Sequence, residues 1–189
     1  MKKIAVYCGS NKGARVEYVQ AAKEFAKSLV GNGLGMVYGG GSTGIMGEVA
    51  DAVIQMGGEV IGVTPRMFVD MDIIHPDLTE LHVVDTMHER KSLIVELADG
   101  FIALPGGIGT FEEIFEVLTW AQLGIHAKPC GLLNICGYYE KIIEMLDHAV
   151  TQRFVSEIDR ERLLVDENPA KLLKKFENYK SPGFYKLIY

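Results

Sequence analysis

Phe101-Ile102-Ala103-Leu104-Pro105-Gly106-Gly107-Ile108-Gly109-Thr110-Phe111-Glu112-Glu113 joins a short apolar run to a segment of helical period through a turn of one proline and three glycines. Pro105 stops a strand because it has no N–H to give to a sheet. The glycines strip side chains from the turn, and Thr110 stands where a helix N-cap belongs. A strand running through glycine into a helix aims backbone amides at an open anion site. Gly106, Gly107, Ile108, Gly109 and Thr110 are therefore candidate phosphate ligands.

The same alternation extends in both directions. Apolar runs at 3–8, 35–38, 60–63, 81–84, 101–104, 131–134 and 163–165 predict seven strands, and helical segments are predicted at 16–30, 45–55, 87–97, 111–123, 139–151 and 169–176. This pattern predicts an α/β fold, a single doubly wound Rossmann-like domain over 1–189, with a mostly parallel sheet and helices on both faces. The stripe Ile45, Met46, Val49, Ala50, Val53 and Ile54 should face that sheet. The connection 64–79 is long for a compact unit, and reads equally as a lid or as a surface excursion or dimer contact. Residues 184–189 read as a packed tail.

A chain of 189 residues buries enough surface to fold as one domain without staples. It is 48% hydrophobic, with no apolar run long enough for a membrane span and no secretory leader, which predicts a cytoplasmic protein. The net charge of −6 argues against a nucleic-acid surface. Three cysteines without CxxC spacing and five histidines without HExxH spacing predict neither disulfide framework nor metal site.

After the second strand comes a further glycine loop, Gly39-Gly40-Gly41-Ser42-Thr43-Gly44, with GxGxxG spacing. Gly41, Ser42 and Thr43 could cradle phosphate at the next helix, or the loop could simply make a tight turn. The motif follows the second strand rather than the first, which weakens a dinucleotide reading. Ile45 after Gly44 excludes the triphosphate loop, which needs Lys there. Thr86 and Glu89 have capping-box spacing, which accounts for both and leaves Arg90 and Lys91 unexplained. Two cations in the first turn of a helix oppose its dipole, so an anion or a carboxylate across the cleft should balance them. Thr110 and Glu113 share the capping-box spacing too. Yet Glu112, Glu113 and Glu116 crowd an expected anion site, so at least one must serve another purpose, and chemistry is the stronger reading for Glu113.

Pro105 to Glu113 as PGGxGTxxE, with Met87-His88-Glu89-Arg90-Lys91, the Gly39 to Gly47 loop and Leu118-Thr119-Trp120-Ala121-Gln122-Leu123-Gly124, resembles the LONELY GUY family from about Lys3 to Phe154. Its members are cytokinin riboside 5′-monophosphate phosphoribohydrolases, many once labelled lysine decarboxylases. The resemblance implies cleavage of the N-glycosidic bond of AMP or an N6-modified AMP to free base and ribose 5-phosphate, by a homodimer that needs no metal or other cofactor. It carries over Arg90 and Glu113 as the catalytic pair, and the 106–110 loop, Glu112, Lys91 and Thr119 as nucleotide-binding, with Met87 a base-pocket candidate. Asp70 and Asp72 both stand open as the acidic residue that the family places before the third helix.

The chemistry fits these residues. Breaking a ribosyl–nitrogen bond builds positive charge on the sugar, and a carboxylate such as Glu113 stabilises it or activates water. Arg90 either binds phosphate or orients Glu113 and lowers its pKa. Among competing readings, a pyridoxal-dependent decarboxylase lacks a cofactor cradle around Lys91, and a nicotinamide oxidoreductase rests only on the GxGxxG spacing. The alternative from another class is a non-hydrolytic nucleotide carrier or sensor on the same fold.

Overall fold

The computed structural model describes residues 1–69, 71 and 73–183. Seven parallel strands form one sheet: β1 Lys3–Tyr7, β2 Gly35–Tyr38, β3 Val60–Pro65, β4 Glu80–Val84, β5 Gly100–Ala103, β6 Cys130–Leu133 and β7 Leu163–Asp166. Around it lie α1 Val16–Gly31, α2 Gly44–Gln55, α3 Arg66–Val69, α4 Met87–Leu97, α5 Ile108–Gln122, α6 Glu140–Thr151, α7 Glu157–Glu161 and α8 Pro169–Glu177. The spatial order is β4-β3-β2-β1-β5-β6-β7, so the winding direction reverses between β1 and β5. The chains leaving these two strands diverge, and the gap between them is where an open α/β sheet binds its ligands.

Alternate residues of each central strand feed opposite cores. Ile4 and Val6 pack with Phe25, Leu29, Val49 and Val53 beneath α1 and α2, whereas Ala5 and Tyr7 pack with Ile94, Ile114 and Val117 beneath α4 and α5. Because both faces are covered, the inner strands read as continuous apolar runs rather than alternating ones. In α2, Ile45, Val49, Ala50 and Val53 are almost fully buried, as the helical stripe predicts. Met46 stays partly exposed and turns to the ligand cleft.

One sequence expectation needs correction. α5 begins at Ile108 with Gly107 as its N-cap, so Thr110 lies inside the first turn and does not cap the helix. The cause is local: Gly106 has no side chain, and a Cβ there would lie 2.2 Å from Thr110 Oγ1 and 2.7 Å from Gly9 N. That room lets the glycine turn itself form the start of the helix, with Thr110 packed against it, 4% exposed. The 64–79 connection, read as long for a compact unit, contains the short α3 and an isolated antiparallel bridge between Gly41 and Ile74. The 184–189 tail lies outside the described residues, as do Asp70 and Asp72.

Candidate functional site

A cleft of about 460 Å³ opens at the carboxyl ends of β5, β1, β2 and β3. At one end stands the start of α5, where Gly107, Ile108, Gly109 and Thr110 line the wall. Three carbonyl oxygens of the preceding loop have partners within the chain: Leu104 O accepts from Tyr139 Oη at 2.6 Å, Pro105 O from Gly9 N at 3.1 Å, and Gly106 O from Tyr138 Oη. With its carbonyls engaged, the loop offers N–H groups to the cleft, and the first amides of a helix have no intrahelical acceptor. That is the electrostatic profile of an anion site.

One turn further along α5, Glu113 Oε1 accepts a hydrogen bond of 2.7 Å from Arg90 Nη1. Both side chains are largely buried, at 13% and 14% exposed. Arg90 is fixed on other sides as well, its Nε donating to Val63 O at 3.2 Å and its Nη1 meeting Met87 Sδ at 3.5 Å. A Cβ on Gly39 would stand 2.4 Å from Arg90 Nη2, so glycine at that position leaves room for the guanidinium. Arg90 therefore orients Glu113. The expected lowering of the Glu113 pKa does not prevail: burial pushes the carboxyl above its ordinary 4.5, and the Arg90 charge and hydrogen bond pull it only part of the way back.

The crowd of carboxylates resolves into two ion-pair groups. Lys91 Nζ reaches Glu112 Oε1 at 2.7 Å and Glu116 Oε1 at 2.9 Å, while Arg90 takes Glu113. Burial works against the Lys91 charge, yet the two carboxylates hold its pKa above the ordinary lysine value. The cations of α4 are thus balanced by carboxylates across the cleft. The capping box at the head of α4 forms as predicted, Glu89 N donating to Thr86 Oγ1 at 3.1 Å and Thr86 N to Glu89 Oε2 at 3.3 Å.

The second glycine loop takes the packing role. The first amides of α2 are not open to a ligand, since Ile45 N and Met46 N both donate to Gly9 O, at 2.9 and 3.2 Å. Gly44 has φ of +63°, and a Cβ there would lie 2.2 Å from the Ser10 carbonyl carbon. Ser42 spends its backbone N–H and its hydroxyl on Ile73 O, at 2.8 and 3.0 Å, and Thr43 is the backbone N-cap of α2. Of this loop, Gly39 and Gly41 line the cleft. Thr119 lies outside it in the single chain, its hydroxyl donating to Phe115 O at 2.7 Å.

Of the readings open for the 64–79 connection, a contribution to the cleft is favoured, although the sequence did not single out its residues: Phe68, Ile73 and Ile74 line the cleft together with Met46, Met87 and Thr64. His75 pins this segment, its N–H donating to Gly40 O at 2.8 Å and its ring meeting Asp51 Oδ1 at 3.1 Å. The signal was the length of the loop, together with its place at a strand's carboxyl end. Cys8 also lines the cleft, but burial, helped by the Glu113 charge, pushes its thiol far above the ordinary value, which removes it as a nucleophile. Among the described residues no group of three or more His, Cys, Asp or Glu could hold a metal ion, and no helix is long and apolar enough to cross a membrane.

Comparison with known proteins places this geometry. The family model described as "Possible lysine decarboxylase" matches residues 46–176. The cytokinin riboside 5′-monophosphate phosphoribohydrolase LOG of Oryza sativa subsp. japonica is 47% identical over 179 residues, covering 94% of this chain and 74% of the relative. A cytokinin riboside 5′-monophosphate phosphoribohydrolase of Arabidopsis thaliana is 45% identical over 178 residues, covering 94% and 84%. Among solved structures, the molybdenum cofactor carrier protein of Chlamydomonas reinhardtii superposes with a TM-score of 0.70 at 21% identity, covering 94% of this chain and 99% of that one, a likeness of fold alone.

Proposed function

We propose, on the premise that this chain belongs to the LONELY GUY family, that its cleft hydrolyses the N-glycosidic bond of AMP or an N6-modified AMP to free base and ribose 5-phosphate. The observation that carries this is the Arg90–Glu113 pair, 2.7 Å apart and one helical turn from the open amides of α5. A phosphate on those amides sets the sugar beside Glu113, and much of the rate gain is orientation of that kind. As the C1′–N9 bond lengthens, its electron pair leaves with the base and positive charge grows on the ribose. Glu113 as carboxylate stabilises that charge, or takes a proton from the water whose oxygen bonds to C1′. Arg90 holds Glu113 in place, and Lys91, paired with both Glu112 and Glu116, offsets part of the negative charge that would repel the phosphate.

The experiment is incubation of the protein with AMP, an N6-isopentenyl AMP and adenosine, with chromatographic detection of released base. The two phosphorylated compounds are expected to yield base and adenosine to stay intact. A protein that binds AMP and releases none is a carrier instead.

We place the protein in the cytoplasm as a homodimer. Supporting the first are three free thiols, Cys8, Cys130 and Cys136, suited to a reducing compartment. Supporting the second are Leu123 and Phe154, 60% and 89% exposed, next in sequence to Gln122 and Val155 of a groove that mixes Leu118, Leu146 and Val155 with Gln122, Asp159 and Arg160. Light scattering at micromolar concentration should give twice the chain mass, and a monomer would overturn the assignment.

A further inference from the structure

Thr64, the penultimate residue of β3, is 1% exposed, and its hydroxyl has no hydrogen-bond partner among the described residues. Its backbone is committed to the sheet, in register with Val83 of β4. Thr64 lines the cleft from the strand that, of the four bordering it, is farthest from the α5 amides, and Phe68, Ile73, Ile74 and Met46 line the same cleft. Threonine suits a strand by its branching. Valine has the same shape, however, and would avoid burying an unpaired hydroxyl, which native structures rarely tolerate without a reason. An orphaned donor and acceptor in an otherwise apolar pocket end is the arrangement that fixes a ligand's orientation by one polar contact.

The cleft runs across four strand ends, from β5 to β3, three spacings or about 14 Å. Phosphate at the α5 end and ribose at Glu113 leave the base to lie toward β3. Resting on the nucleotide assignment above, we propose that Thr64 is a base-positioning contact of the pocket: its hydroxyl hydrogen-bonds the polar edge of the purine while Met46, Phe68, Ile73 and Ile74 enclose the ring and its substituent. A purine edge offers both acceptor nitrogens and, in AMP, an amino donor, and a hydroxyl serves either.

The test compares Thr64, Thr64→Val and Thr64→Ser, each in a Glu113→Gln background that does not turn AMP over, by equilibrium binding of AMP and of ribose 5-phosphate, which lacks the base. Thr64→Val should weaken AMP binding about fivefold to tenfold. Ribose 5-phosphate should bind unchanged, Thr64→Ser should restore most of the AMP affinity, and the melting temperature of unliganded Thr64→Val should not fall. Unchanged AMP affinity in Thr64→Val overturns the proposal, as does an equal loss for both compounds or a failure of Thr64→Ser to restore binding. A fall in melting temperature would mark the hydroxyl as structural and overturn it too. Because the readout is binding, a wild-type protein that holds AMP without hydrolysing it would defeat the hydrolase assignment and leave Thr64 decided by the same data. A protein that does not bind AMP at all defeats both.

Discussion

Glu113 is a carboxyl group asked to stay charged in a place that disfavours charge. Burial raises its pKa above 4.5, and the Arg90 guanidinium opposes that shift. The ionised form is the useful one, whether it stabilises the sugar cation or takes a proton from water, so activity must fall as pH drops through the raised value. The acidic limb of the kcat/KM profile, which reports the free enzyme, should therefore lie above pH 4.5. Arg90→Ala removes the charge that pulls the pKa down, and should move that limb further toward neutrality. A limb unmoved in Arg90→Ala would show that the titrating group is not Glu113. Replacing Glu113 by Gln keeps an acceptor for Arg90 but no charge, and should lower kcat by about 10²–10⁴ with the fold intact. Glu113 and Arg90 were legible in the sequence through the family motif together with their charge and helix position. The net direction of the Glu113 pKa was not, because it depends on how deeply the fold buries the pair.

Helices and their glycine turns show where local reading succeeds and where it stops. The Thr86–Glu89 capping box was legible because both partners lie within one turn. The N-cap reading of Thr110 misled, since Gly106 allows α5 to start a turn earlier, whereas for Glu113 chemistry was already preferred to capping, and Arg90 of another helix claims it. Both readings of the GxGxxG loop stood open in the sequence, because what closes its amides is Gly9 O, delivered from β1 through the sheet. That packing role has a measurable consequence. Gly44 and Gly57 both have positive φ, but a Cβ at Gly44 meets the Ser10 and Asn11 backbone whereas one at Gly57 meets nothing within 4 Å. Gly57→Ala should cost only the left-handed backbone penalty, about 1–2 kcal/mol. Gly44→Ala adds overpacking against rigid backbone, for a total of roughly 2–5 kcal/mol. Chemical denaturation of the two variants should rank them in that order, and equal losses would mean that the packing of Gly44 against Ser10 and Asn11 is slack.

At the scale of the whole molecule, strand and helix boundaries read from apolar periodicity fell close to those observed, and seven strands were expected and found. Strand order could not be read, because it depends on pairings between distant segments. That order is what brings the loops after β1, β2, β3 and β5 to one cleft with a phosphate-ready end, a charged middle and an apolar far end. The part that Phe68, Ile73 and Ile74 take in the cleft was open in the sequence only as one reading of an overlong loop, since the contacts that place it, Ile73 O with Ser42 and His75 with Gly40, cross between elements. A cleft with this polarity should use the phosphate of its substrate for positioning and Glu113 for chemistry. The most direct test is kcat/KM for base release from AMP against adenosine. Loss of two or more charge-assisted hydrogen bonds should make adenosine worse by about a hundredfold or more, whereas equal turnover of the two would contradict the account.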